Sequence, residues 1–161
     1  MPLNPNIPHA KLTYRILGAA MRVHNRLGPG LKEEHYVRAL IAELRAEGIT
    51  VAEEYCLEIY DGDLWLGRLY LDLWVEGQIV VEVKALYHLL TNDEVSQVIN
   101  YLAATGAPVG LLINPSAGSG QPLGVSDWII GASYRQRNWM SGRYTSEDSC
   151  GGQSNQRMRN E

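Results

Sequence analysis

LYLDLWVEGQIVVEVKA, Leu69 to Ala85, places two aliphatic runs on either side of Glu76-Gly77 and carries three charges, Asp72, Glu82 and Lys84. Its odd positions, Leu69, Leu71, Leu73, Val75, Ile79, Val81 and Val83, are apolar without a break, the period of two that marks strands with one buried face. A two-residue loop at Glu76-Gly77 would set odd positions opposite even ones and divide that set between the two faces, so the pattern excludes it. A three-residue loop, Val75-Glu76-Gly77 with Gly77 in the left-handed conformation of a G1 bulge, keeps odd opposite odd. Asp72, Glu82 and Lys84 then share the other face with Tyr70, Trp74 and Val80.

Charges on such a face have a plain reading, a solvated strand with a cross-strand salt bridge. The apolar neighbours argue for a covered site instead, where charges are paired, protonated or bound to a cation. Two carboxylates ~4 Å apart repel by roughly 1 to 4 kcal/mol as the effective dielectric falls from that of water to near-surface values. Lys84 relieves part of this, and a hard divalent cation, Mg²⁺ or Mn²⁺, would relieve the rest through the oxygen ligands it prefers.

Around that hairpin lies a chain of 161 residues, enough for one domain with a real core, 45% apolar and 20% charged. Its net charge of -4 argues against non-specific nucleic-acid binding through a basic surface, because that affinity comes from Lys and Arg contacts to phosphates. No apolar run approaches the length of a membrane span, and MPLNPNIPHA lacks a basic-then-apolar leader pattern, so a cytoplasmic protein is expected. Cys56 and Cys150 form no CxxC or Cys/His cluster that would suggest zinc.

Helical spacing from Lys11 through Leu12, Ile16, Ala19, Ala20, Val23 and Leu27 predicts a first helix ended by Gly28-Pro29-Gly30. His24 borders its apolar stripe and reads first as a boundary histidine bonded to a backbone group. A second helix is predicted over Leu31 to Glu47 with Gly48 closing it, Tyr36, Leu40 and Leu44 inward, and Glu33 and Glu34 in a first turn that favours acids. Ile49 to Tyr60 reads as a strand and Asp61-Gly62-Asp63 as a turn. Asn92 to Thr105 reads as a third helix capped by Thr91 or Asn92, with Gln97 and Tyr101 on one face. PVGLLIN, Pro108 to Asn114, reads as a buried strand. Residues 115–161 are expected to form a flexible connector, a short strand at VSDWIIGAS and a poorly ordered polar tail, leaving 1–114 as the folded domain.

The order helix, helix, strand, hairpin with D-x9-E-x-K, helix with Q-x3-Y, strand resembles the PD-(D/E)XK nuclease superfamily. Within it, Gly30, Glu33 and Tyr36 of LGPGLKEEHY look like the signature of the GxxExxY family. Leu71 stands where the superfamily name has proline. The resemblance implies an α/β, restriction-endonuclease-like mixed sheet flanked by helices. It implies Asp72 and Glu82 as metal-binding carboxylates and Lys84 as the residue that positions water and stabilises phosphate charge. Glu33 would be a further ligand or a base behind the ligands, and His24, Tyr36, Gln97 and Tyr101 would support the site.

Two functions remain open at this point. One is Mg²⁺- or Mn²⁺-dependent phosphodiester hydrolysis of DNA or RNA; the other is a catalytically retired nuclease-like fold used as a binding or regulatory module. The Trp74 and Tyr70 face could be covered by the chain's own helices or by a second subunit in a homodimer.

Overall fold

A computed structural model describes residues 8–88 and 90–115, so the strand and tail expected beyond Pro115 lie outside the described residues. Helix α1, Ala10–Leu27, buries Ile16, Ala19, Ala20 and Val23 and stops at Gly28, whose N–H returns to the His24 carbonyl. Helix α2, Glu33–Ala46, buries Tyr36, Leu40, Ile41 and Leu44. It ends as Gly48 turns left-handed at φ 73 and the Ile49 N–H reaches back to the Leu44 carbonyl at 3.0 Å. The helix starts two residues later than predicted because Lys32 is extended at φ -70 and ψ 152, and the Leu31 N–H before it is bonded to the Tyr36 hydroxyl at 3.2 Å.

Strands β1, Val51–Asp61, and β2, Leu64–Val75, form a long antiparallel hairpin through the expected Asp61-Gly62-Asp63 turn. Strand β3, Ile79–Val83, pairs antiparallel with β2, and β4, Val109–Ile113, lies parallel to β3 after the crossover through α3, Asn92–Thr105. The sheet order is β1-β2-β3-β4, a four-stranded mixed sheet. Helices α1 and α2 cover one face and α3 the other. The two strands of the parallel pair are buried at every position, as expected for strands covered on both sides. Helix α3 packs so closely on β4 that a Cβ on Gly110 would sit 2.6 Å from Val98 Cγ1.

Two details of the hairpin differ from the sequence reading. The loop is Glu76-Gly77-Gln78, with Val75 paired to Ile79, Trp74 to Val80 and Leu73 to Val81. Odd still faces odd, but the loop lies one residue further along, because Glu76 itself adopts a left-handed φ of 52 ahead of Gly77 at 63. Two bonds to Thr50 hold it there, its N–H donating to the Thr50 carbonyl and its carboxylate accepting the Thr50 N–H.

The odd positions also do not stay on one face. Leu73, Val75, Ile79, Val81 and Val83 pack beneath α1 and α2, whereas Leu71 joins Leu57, Val80 and Leu112 beneath α3, with Leu69 at the margin. The alternation breaks where Glu54, between the pairs Glu53-Leu73 and Tyr55-Leu71, takes φ 48. A left-handed residue at that rung interrupts the pleat shared by the two paired strands, as a bulge does. Tyr55 therefore stacks on Trp74, ring centroids 6.1 Å apart, while Tyr70, expected to help cover the charged face, is exposed.

Candidate active site

Asp72 stands where β2 and β3 part. The last paired rung is Leu73 with Val81; beyond it the Val83 N–H donates to Asp72 Oδ2 at 2.8 Å, and the Lys84 N–H turns to the Ile113 carbonyl of β4 at 2.7 Å. A carboxylate thus takes the place of a ladder carbonyl, which fixes the Asp72 side chain against β3.

Glu82 lies on the next even position of β3 and is 2% exposed. Lys84 Nζ donates to its Oε1 at 2.7 Å, while Oε2 is buried with no hydrogen-bond partner. An ionised oxygen in that condition is costly, so Glu82 is a group awaiting a proton or a cation. Burial first, then the charge of Asp72, pushes its pKa up to about 7 against the opposing pull of Lys84. Burial also raises Asp72, with the Val83 N–H and Lys84 holding it back.

Glu33, at the start of α2, comes to the same place. Burial raises its pKa, while Lys84 and the Ala85 N–H favour its charged form. Burial works against the Lys84 ammonium, but the Glu82 hydrogen bond and the charges of Glu82, Glu33 and Asp72 outweigh it and leave its pKa raised. Three carboxyls therefore surround one ammonium.

The supporting residues divide by what they hold. Tyr36 is buried, donates to the Gly28 carbonyl at 2.6 Å and accepts from the Leu31 N–H, so it ties down the loop that delivers Glu33. Gln97 Nε2 donates to the Tyr101 hydroxyl at 2.7 Å. Burial raises the Tyr101 pKa, opposed by Gln97 and with Glu82 and Asp72 adding to the rise, which puts this pair within electrostatic reach of the carboxylates. His24 Nδ1 is 2.8 Å from the Pro115 carbonyl, the backbone bond read from its boundary position.

Two residues carry roles that the sequence reading did not assign. Asn114 is fully buried, accepts from the Leu86 N–H and donates to the Leu86 and His88 carbonyls, so it anchors the segment that follows Lys84. Its signal was a lone amide closing the apolar run PVGLLIN. Glu54 adds its charge to the field that raises Asp72, and nothing in the pair Glu53-Glu54 distinguished it from a solvated strand.

A family model of the PD-(D/E)XK nuclease superfamily matches residues 10–121, a span that runs from α1 through β4. The chain belongs to the PD-(D/E)XK nuclease superfamily. No curated protein and no solved structure matches it.

PD-(D/E)XK nucleases typically use divalent metals. The donor set fits such an ion: Asp72 and Glu82 offer hard oxygens, and the unpartnered Glu82 Oε2 lacks the positive partner that a cation would provide. Among the described residues no three His, Cys, Asp or Glu side chains gather closely enough to hold an ion by themselves. Mg²⁺ is characteristically held by one or two carboxylates, with water and substrate phosphate completing the octahedron.

Proposed function

We propose that this chain is a divalent-metal-dependent phosphodiesterase acting on nucleic acid, and that within its superfamily Gly30, Glu33 and Tyr36 place it in the GxxExxY family. The observation that carries this reading is Glu82, buried on a parted strand beside Asp72, with one oxygen bound by Lys84 and the other unpartnered. Asp72 and Glu82 would hold Mg²⁺ or Mn²⁺. When bound, the ion supplies Lewis-acid polarisation of a phosphoryl oxygen and lowers the pKa of water.

The chain's own groups do the remainder. Lys84 donates to a phosphate oxygen as negative charge grows there, at a position set by its bond to Glu82. Glu33, its pKa raised by burial, accepts the proton of the attacking water from the α2 side. Tyr36 and Asn114 hold the two backbone segments that carry Glu33 and flank Lys84.

Two measurements test this together. Single- and double-stranded DNA and RNA are incubated with Mg²⁺ or Mn²⁺, and Lys84→Met is expected to lower metal-dependent hydrolysis by at least about 100-fold while circular dichroism reports a retained fold. Calorimetric titration of the same ions is expected to show saturable binding that Asp72→Asn and Glu82→Gln abolish. Absence of both hydrolysis and metal binding would replace this reading by that of a retired nuclease fold serving as a binding module.

A further inference from the structure

Helix α3 and the outer half of the β1-β2 hairpin enclose a groove of about 660 Å³. Leu66 and Leu69 line it from the sheet side, Ile99 and Ala103 from the helix side, and Gln97 and Asn100 add amides to the lining. The volume lies within the roughly 300 to 1,000 Å³ of small-molecule sites, and the lining, mostly apolar with a few polar groups, is of the same kind. The groove adjoins the site described above, since Gln97 and Tyr101 line it and Tyr101 senses the charges of Glu82, Asp72 and Lys84.

Charge decides what chemistry suits it. Arg68 also lines the groove, but its guanidinium is paired to Glu58 at 3.2 Å, so the wall presents little net positive charge to a phosphate. On α1, Arg15, Arg22 and Arg26 are likewise turned to Glu43 and Glu47 of α2 and its cap. With an acidic chain and Arg68, the cation of the groove lining, engaged, a nucleic acid lying in this groove gains little from phosphate contacts there and needs apolar contact to its bases. In a duplex those base faces are stacked; in a single strand they are available. An amide such as Asn100 offers both a donor and an acceptor to a base edge.

We propose that this groove receives an unpaired nucleobase of the strand whose phosphodiester lies at Asp72, Glu82 and Lys84, which makes the substrate single-stranded nucleic acid. The assignment rests on the nuclease reading above and extends it to a substrate class.

Binding in metal-free buffer tests it without hydrolysis. Fluorescence anisotropy would compare a labelled single-stranded oligonucleotide, its duplex and a strand of abasic residues on the full chain and on Leu66→Asp, a change at a residue 53% exposed. The single strand is expected to bind at least about tenfold more tightly than the duplex or the abasic strand, and Leu66→Asp to remove that advantage, the scale of a single base contact. Hydrolysis of bis(p-nitrophenyl) phosphate with Mn²⁺, a diester with no base, is expected to be unchanged by Leu66→Asp.

Equal binding of duplex or abasic strand, no saturable binding of the single strand, or no effect of Leu66→Asp would overturn the proposal. So would light scattering in which Leu66→Asp only converts a dimer to a monomer, since the groove would then be a contact between copies of this chain. Failure of the nuclease reading shows separately, as absent metal-dependent hydrolysis of both the simple diester and the oligonucleotide.

Discussion

The two ends of the β2-β3 hairpin are built from the same two strands and solve opposite problems. At the loop end the ladder is closed through Leu73-Val81, Trp74-Val80 and Val75-Ile79, and the odd side chains there are fully buried under α1 and α2. At the other end the strands separate, a side chain satisfies the Val83 N–H, β4 takes the Lys84 N–H, and Asp72, Glu82 and Lys84 occupy the opening. The closed end is a place of stability and the open end a place of stored electrostatic cost. Separation of the strands is what lets charged groups enter a sheet without leaving its backbone unsatisfied.

If that division holds, truncation at the closed end should hurt folding alone. Leu73→Ala removes a side chain with no exposed surface and is expected to cost about 2–5 kcal/mol in urea unfolding. Metal affinity of the folded fraction should be that of the parent; an affinity that falls with the stability would join the two ends into one unit.

The open end is expected to respond to pH instead. Glu82 binds its proton more tightly in the folded chain than in the unfolded one, its pKa moving from the ordinary 4.5 up to about 7. Between those values the folded state holds more protons than the unfolded state, so stability falls as pH rises through that window, by about 3 kcal/mol at most. The raised Lys84 acts with the same sign but only on the far alkaline side, outside this window, while Glu33 and Asp72, also raised by burial, act with the same sign and add to the loss from its acid side. Thermal unfolding of metal-free protein at pH 5 and pH 8 should show this loss, and Glu82→Gln should remove most of it. A slope that survives Glu82→Gln would move the stored cost to other groups.

Legibility in the sequence followed the range of the determining contacts. The limits of α3 were readable because Thr91 and Glu94 close a capping box within one turn and Gly106 ends the helix. Asp72, Glu82 and Lys84 were brought together correctly because any even shift of a hairpin preserves which residues share a face. Leu71 leaves the face that its odd position predicts because the pleat breaks between the rungs Glu53-Leu73 and Tyr55-Leu71, where Glu54 is left-handed, and that conformation of a glutamate inside a strand leaves no trace in its residue type. The loop position failed for a similar reason, since Glu76 is held left-handed by Thr50, distant in the chain. Asn114 showed its role only once Leu86 and His88 were beside it.

The loop supplies the mildest way to sharpen the contrast. Gly77 has φ 63, and a Cβ there would meet Trp74 Nε1 at 3.9 Å, an ordinary contact, so Gly77→Ala introduces backbone strain with almost no steric clash. The expected cost is about 1 kcal/mol, the penalty for a left-handed alanine. Glu76→Gly differs although its neighbouring φ is also left-handed: it relieves strain but deletes the carboxylate that accepts the Thr50 N–H, so the two effects oppose and stability should barely change. Both variants alter the closed end, and neither touches a group that titrates at the open one. Their unfolding curves should be displaced from the parent by the same amount at pH 5 as at pH 8. A displacement that varies with pH would mean that strain at the loop reaches Asp72 and Glu82 along the strands, and the two ends would no longer be separable.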